Sequence, residues 1–129
     1  MRIVDTSVFI DAERRHAPAV ERIVHSLEHG YTLLWYDSTI TGKDLQAVKD
    51  IAKRADAEKV TTGRFLAVPL DESRGKLADG KHLALSHWGG APNDRTKAFR
   101  ELCSVPSGEA VGTFVQAHPA SAAPEPGGG

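Results

Sequence analysis

The N-terminal segment Met1-Arg-Ile-Val-Asp-Thr-Ser-Val-Phe-Ile10 places apolar residues on both sides of a single acidic residue. Residues 2–4 are predicted to form a short buried strand, and Asp5-Thr-Ser to form its exit. In open α/β sheets, ligands bind beyond the carboxyl ends of the strands. Asp5 is therefore predicted to stand at a functional edge, where its carboxylate suits a hard cation such as Mg²⁺. The alternative interpretation is that Asp5 caps the following helix.

The composition is that of one ordinary folded domain. The chain has 129 residues, of which 40% are hydrophobic and 26% are charged. No apolar run approaches the roughly 20 residues of a membrane helix, and residues 2–10 are too short an apolar stretch for a signal peptide. The single cysteine excludes an internal disulfide and favours a reducing compartment, so a cytoplasmic location is expected. The net charge of −1 means that nucleic-acid binding would need a local basic patch.

Apolar patterning predicts strands that alternate with helices. Helical spacing of Val20, Ile23, Val24 and Leu27, with Gly30 at the C′ position, indicates a first helix. The remaining pattern predicts strands at residues 31–36, 65–70 and 110–115 and helices at 45–51, 77–88 and 98–103. Such alternation is typical of an α/β fold with a mostly parallel sheet. Residues 119–129 are rich in Pro, Ala and Gly and are expected to form a flexible tail after a domain of residues 1–118.

Several segments resemble the motifs of PIN-domain ribonucleases, especially the VapC toxins of type II toxin–antitoxin systems. The opening Ile3-Val-Asp-Thr-Ser-Val-Phe-Ile10 resembles the first motif of that family. Residues 28–40 resemble its second strand, Phe65-Leu-Ala-Val-Pro-Leu-Asp71 its third, and Val111-Gly-Thr-Phe-Val-Gln-Ala-His118 its fourth. The resemblance covers residues 1–118. It implies a PIN-like three-layer sandwich, with a central mostly parallel sheet flanked by helices.

The resemblance also implies a metal site. Asp5 and Asp94 would bind Mg²⁺, or Mn²⁺, and Asp44 would bind or orient a metal-bound water at the position where the family has Glu. Thr6 or Thr113 would add a hydroxyl around that site. A rival alignment puts the third acid at Asp79. Val115 stands where a fourth carboxylate is usual, which leaves one or two metals open.

The implied function is that of a Mg²⁺-dependent endoribonuclease, the toxin of a type II toxin–antitoxin pair. Its expected partners are RNA, a cognate antitoxin protein and a second copy in a homodimer. The candidate RNA-binding residues are Arg14, Arg15, Lys43, Arg95, Lys97 and Arg100. Two alternatives stay open. One is a degenerate, catalytically impaired PIN-like domain that acts as a binding partner, and the other is a flavodoxin-like or receiver-like signalling domain.

Two histidines and the single cysteine are further candidate functional residues. His25 and His29 are four residues apart on the first predicted helix, a spacing that can hold zinc. Two ligands do not complete a site, so a solvated helix face is the preferred interpretation. Cys103 lies on an apolar stripe without a histidine partner in the pattern, and core packing is expected for it.

Overall fold

A five-stranded mixed sheet organises the protein. The computed structural model describes residues 2–3, 26–90, 94–123 and 125. Its strands are β1 (Arg2–Ile3), β2 (Thr32–Tyr36), β3 (Phe65–Pro69), β4 (Leu83–Gly90) and β5 (Asp94–Cys103). Its α-helices are α1 (Gly42–Asp56) and α2 (Gly108–Ala117), and short 3₁₀-helices cover Glu72–Arg74 and Ala120–Ala122. The strand order across the sheet is β1-β5-β4-β2-β3.

The expectation of a PIN-like, mostly parallel sheet is wrong. β2 and β3 are parallel, but β4 pairs antiparallel with both β2 and β5, and β5 pairs antiparallel with β1. The cause lies in the connections. The β2–β3 connection contains a long helix, α1, which can carry the chain back across the sheet. The chain between β3 and β4 forms only one 3₁₀-turn, so β4 returns in the opposite direction.

The two helices expected at residues 77–88 and 98–103 are strands instead. β4 lies between β2 and β5, and its residues 83–87 are buried on both faces. It begins with the apolar run Leu83-Ala-Leu85, and periodicity alone does not separate such a run from a buried helix. In β5 the residues Ala98 and Leu102 share one face, and Phe99 and Cys103 share the other. The same four positions also fit a helical stripe.

The strand expected at residues 110–115 is the helix α2. Its β-branched residues favour a strand locally, but Val111, Phe114 and Val115 have helical spacing and pack together in the core. The side chain of Ser107 accepts a hydrogen bond from the backbone N–H of Ala110 at 3.1 Å, which makes it the N-cap. The helix then begins at Gly108.

Three predicted elements are confirmed. β2 is a fully buried run, since the four residues 32–35 are each at most 2% exposed. β3 begins at Phe65 as expected, and α1 contains the predicted stripe of Leu45, Val48 and Ile51. Of the first predicted helix, residues 26–28 are described and are helical. Asp5 and most of that helix lie outside the described residues.

Each face of the sheet carries its own hydrophobic cluster. α1 and α2 cover one face, where Val48, Phe114 and Val115 pack against Leu34 and Leu85 of the central strands. The opposite face carries Leu33, Trp35 and Ala84, and Leu27 from the helical turn packs there.

Trp35 donates its indole N–H to the hydroxyl of Ser86 at 2.9 Å, which satisfies both buried polar groups. Trp35 is therefore a core residue.

Residues 119–123 pack against the domain. Ala120, Ala122 and Ala123 are buried, and the N–H of Ala120 donates to the carbonyl of Val60 at 2.9 Å. This part of the expected tail therefore contacts the folded domain. In the described ranges, no helix is both long enough and apolar enough to cross a lipid bilayer.

Candidate functional site

Two of the acids predicted from the PIN resemblance, Asp44 and Asp94, do not lie close together. Asp44 lies exposed in the first turn of α1, beyond the end of β2 at Tyr36. Tyr36 pairs with Leu83 at one end of β4, whereas Asp94 pairs with Gly90 at the other end. At about 3.3 Å per residue, these two ends of β4 are about 23 Å apart. Asp44 and Asp94 therefore do not fit a shared magnesium ion.

The other described residues of that prediction lie on several different elements. Asp79, the rival third acid, is exposed in the loop before β4, at the sheet end that carries Asp44. Val115 is 1% exposed inside the core, and Thr113 is exposed on α2. Of the candidate RNA-binding residues, Lys43 lies in the first turn of α1 and Lys97 near the opposite end of the sheet. Asp5, Thr6, Arg14 and Arg15 lie outside the described residues. Ribonuclease activity, an antitoxin and a homodimer stay predictions.

A different set of ligating groups meets at the end of the helical turn 26–28. The N–H of Gly30 donates to the carbonyl of Leu27 at 3.2 Å, and the N–H of Tyr31 donates to that of Ser26 at 3.0 Å. These two bonds form a Schellman motif, in which Gly30 at φ +94° is the left-handed C′ residue. The predicted C′ role of Gly30 is confirmed. The motif ends the helix and fixes the backbone of Glu28 and His29 just before β2.

Ala120 and Glu125, near the C-terminus, pack against the end of the helical turn 26–28. A Cβ atom built at Gly30 would lie 2.4 Å from the carbonyl oxygen of Ala120, so only glycine permits this approach. Farther along, the N–H of Glu125 donates to the carbonyl of Glu28 at 2.8 Å. Residues almost a whole chain apart in sequence therefore become neighbours.

Glu28, His29 and Glu125 form a three-residue cluster, and we call it the Glu-His-Glu cluster. One ring nitrogen of His29 and one carboxylate oxygen from each glutamate all lie within 4.8 Å of one another. Glu28 and His29 are half-buried, and Glu125 is exposed. Tetrahedral ligands of one zinc ion are about 3.4 Å apart, for bonds of about 2.1 Å. Small side-chain rotations would close the cluster to that spacing. In the described part of the chain, no other group of three His, Cys, Asp or Glu residues reaches such proximity.

The tautomer of His29 is fixed by its environment. Its Nδ1 lies 2.6 Å from the backbone carbonyl oxygen of Glu125, which can only accept a hydrogen bond. The ring must therefore donate from Nδ1, and the neutral imidazole carries its lone pair on Nε2. A histidine that donates one ring N–H to a carbonyl and offers the other nitrogen is the usual arrangement of a metal ligand.

A hydrogen-bonded pair of polar residues, Asp37 and His82, lies at the end of β2 that is far from the Glu-His-Glu cluster. Asp37 is 8% exposed, and its Oδ2 accepts a hydrogen bond from Nδ1 of His82 at 2.8 Å. Its Oδ1 accepts from both the backbone N–H and the hydroxyl of Thr39. Burial alone would raise the pKa of the Asp37 carboxyl, but the hydrogen bonds from Thr39 and His82 outweigh it and lower the pKa. This pair fixes the chain where β2 ends and β4 begins.

A buried histidine lies between the sheet and α2. His87 is fully buried, and its Nδ1 lies 3.1 Å from the hydroxyl of Thr32. Its Nε2 is the one fully buried side-chain nitrogen or oxygen without a hydrogen-bond partner in the described ranges. The ring of His118 stacks on it at 6.0 Å between centroids. Burial, and secondarily His118, lower the pKa of His87 to about 4, so the ring is neutral at physiological pH.

Sequence reasoning identified only part of the Glu-His-Glu cluster. His29 was a candidate through its spacing from His25, which lies outside the described residues. Glu28 carries a local signal, since it precedes His29 and Gly30 at a predicted helix end. Glu125 carries none, because it sits in a Pro- and Gly-rich stretch that no periodicity connects to a helix end 97 positions earlier in the sequence.

In the residues that the structure describes, the fold and the site combine a mixed five-stranded sheet, two α-helices on one face and a three-ligand cluster at a helix end. The chain belongs to the family described as "Protein of unknown function (DUF3105)", whose model matches residues 12–128. No curated protein and no solved structure matches the chain. The family match includes all three residues of the cluster.

Proposed function

We propose that this protein binds a divalent transition-metal ion, zinc above all, through Glu28, His29 and Glu125. The observation that carries this proposal is the convergence of the three ligand groups within 4.8 Å, on a histidine whose Nδ1 is already committed to a carbonyl. Convergence of this kind brings together two chain segments that have no sequence continuity. It therefore needs the folded protein.

The chemistry of the donor set selects the class of ion. Imidazole nitrogen suits zinc and its neighbours in the transition series, whereas Mg²⁺ prefers oxygen ligands and keeps most of its waters. Zinc accepts both histidine nitrogen and glutamate oxygen in tetrahedral sites. Three protein ligands leave one zinc position for water or another small ligand, as in open zinc sites.

Calorimetric titration of the metal-free protein tests the proposal. Zinc should bind to the full-length chain with one-to-one stoichiometry, and Mg²⁺ at the same concentration should give no comparable signal. His29→Ala, Glu28→Gln and Glu125→Gln should each weaken zinc binding at least about tenfold, because loss of even a supporting group costs that much.

Glu58→Gln is the matched control, since Glu58 is an exposed glutamate in the turn after α1, outside the cluster. This variant should bind zinc like the wild type. The proposal is refuted if His29→Ala retains the wild-type affinity, or if Glu58→Gln loses as much affinity as the cluster variants.

A further inference from the structure

Residues 119–123 and 125, which we call the C-terminal segment, supply one ligand of the cluster and also its support. Glu125 offers its carboxylate to the cluster, and its backbone carbonyl accepts the Nδ1 proton of His29. Its backbone N–H donates to Glu28. Without this segment, the cluster would keep two of its three side chains and lose the bond that sets the tautomer of His29.

The docking of the C-terminal segment buries little apolar area. Its buried side chains are those of Ala120, Ala122 and Ala123, which have only a methyl group each to remove from water. Backbone hydrogen bonds join Ala120 to Val60 and Glu125 to Glu28, and the carbonyl of Glu125 accepts from His29. Segments with so little buried apolar area open more readily than the core of a domain.

We infer that metal binding and docking of the C-terminal segment are one coupled equilibrium, in which the ion on Glu28 and His29 holds the segment closed and its loss releases the segment. This inference rests on the proposed metal site. It adds that the site is regulated by the position of the segment. Anything that displaces the segment then lowers metal affinity, although it touches no ligand.

Coupling of this kind is reciprocal. If the ion favours the docked segment by some factor, the docked segment favours the ion by the same factor. A substitution that undocks the segment should therefore weaken zinc binding, and zinc should slow the opening of the segment. Both effects can be measured on the full-length protein.

Ala123→Asp tests the first half. Ala123 is fully buried and is not a ligand, so a carboxylate there forces the segment away from the domain. Zinc affinity, measured by calorimetry, should fall at least about tenfold, in line with ordinary coupling strengths. Thr113→Asp is the matched control, because it adds the same charge at an exposed position of α2, outside the segment. Its zinc affinity should stay within about twofold of the wild type.

Ala120→Pro provides a second route to the same state. Proline lacks the N–H that Ala120 donates to Val60, and it adds no charge. It too should weaken zinc binding. Circular dichroism and tryptophan fluorescence establish that each variant keeps its domain folded before the titration. If Ala123→Asp unfolds the domain, Ala120→Pro alone decides the outcome.

Hydrogen exchange tests the second half. In the wild type, amide exchange in a peptide covering residues 119–125 should slow at least about tenfold when zinc is added, while β2 stays unchanged. The inference is overturned if zinc binds but exchange in the segment does not change, or if the undocked variants bind zinc like the wild type. Absence of zinc binding in the wild type would instead refute the proposed function itself.

Discussion

A buried neutral histidine makes stability depend on pH in a defined direction. The pKa of His87 is about 4 in the folded protein and 6.5 in the unfolded chain, so between these values only the unfolded chain binds the proton. The free energy of unfolding should therefore be constant above about pH 6.5, fall as the pH drops, and level off near pH 4. The full loss is about 3 kcal/mol, at 1.36 kcal/mol per pKa unit.

Urea unfolding between pH 4 and pH 7.5 measures this loss, and His87→Leu should remove most of the pH dependence. The pKa of His118 is also lowered by burial, so a smaller slope of the same sign should remain in the variant. The assignment to His87 is wrong if wild type and His87→Leu lose stability in parallel.

Asp37 adds a pH dependence of the same sign as that of His87, but at lower pH. Its pKa is lowered, so its contribution is present above the unfolded-state value of 3.8 and disappears as the pH falls through the folded-state value. At neutral pH, Asp37→Asn should cost about 1–3 kcal/mol, because the charge-assisted bond to His82 is lost at a buried position. Asp79→Asn, at an exposed aspartate, should change urea stability by less than about 0.5 kcal/mol. Equal effects of the two substitutions would contradict the described role of Asp37.

At the scale of elements, the same substitution should have very different effects on stability at two nearby positions of α2. The PIN resemblance suggested Val115→Asp as the restoration of a missing carboxylate. In the structure Val115 packs in the core at 1% exposure, so this change buries an unpaired charge and should cost at least about 3 kcal/mol. Thr113→Asp, two residues earlier on the exposed side of α2, should stay within about 0.5 kcal/mol. Thermal and urea unfolding of the two variants check this, and equal losses would place residue 115 outside the core.

The elements show which sequence signals were sufficient. β2 and α1 were predictable because a buried run and a single apolar stripe each favour one structure. β4 was not, since its Leu83-Ala-Leu85 run fits a buried helix as well as a central strand. α2 was predicted as a strand because its β-branched residues favour a strand, although Ser107 before it is the N-cap of a helix. Local propensity was overruled at both places by packing against distant parts of the chain.

At the scale of the whole molecule, the antiparallel return of β4 separates the acids that the PIN resemblance grouped. Spin labels at Asp44→Cys and Asp94→Cys, in a chain carrying Cys103→Ser, should report a mean distance above about 20 Å, because the two ends of β4 are about 23 Å apart. Pulsed dipolar spectroscopy measures this distance. A distribution centred below about 10 Å would restore the PIN-like arrangement and refute the strand order described here.

The candidate site could be predicted only in part for a related reason. His29 and Gly30 belong to a local helix-end pattern, which sequence reasoning handles well. Glu125 reaches them through the packing of three alanines and a few backbone bonds, and neither has a periodic signature. Asp5 lies outside the described residues, so its role stays a prediction. Strand direction keeps Asp44 and Asp94 apart, and a short motif carries no information on strand direction.

The position of α2 in the chain has a consequence for biosynthesis. Leu34 and Leu85 on the helix-covered face are sealed by Phe114 and Val115, so this face cannot close until residue 115 has been made. β2, α1 and β3 can associate earlier, as a contiguous unit. During translation the nascent chain should therefore present an apolar sheet surface for some time. Surfaces of that kind are what molecular chaperones bind and what makes folding intermediates prone to aggregate.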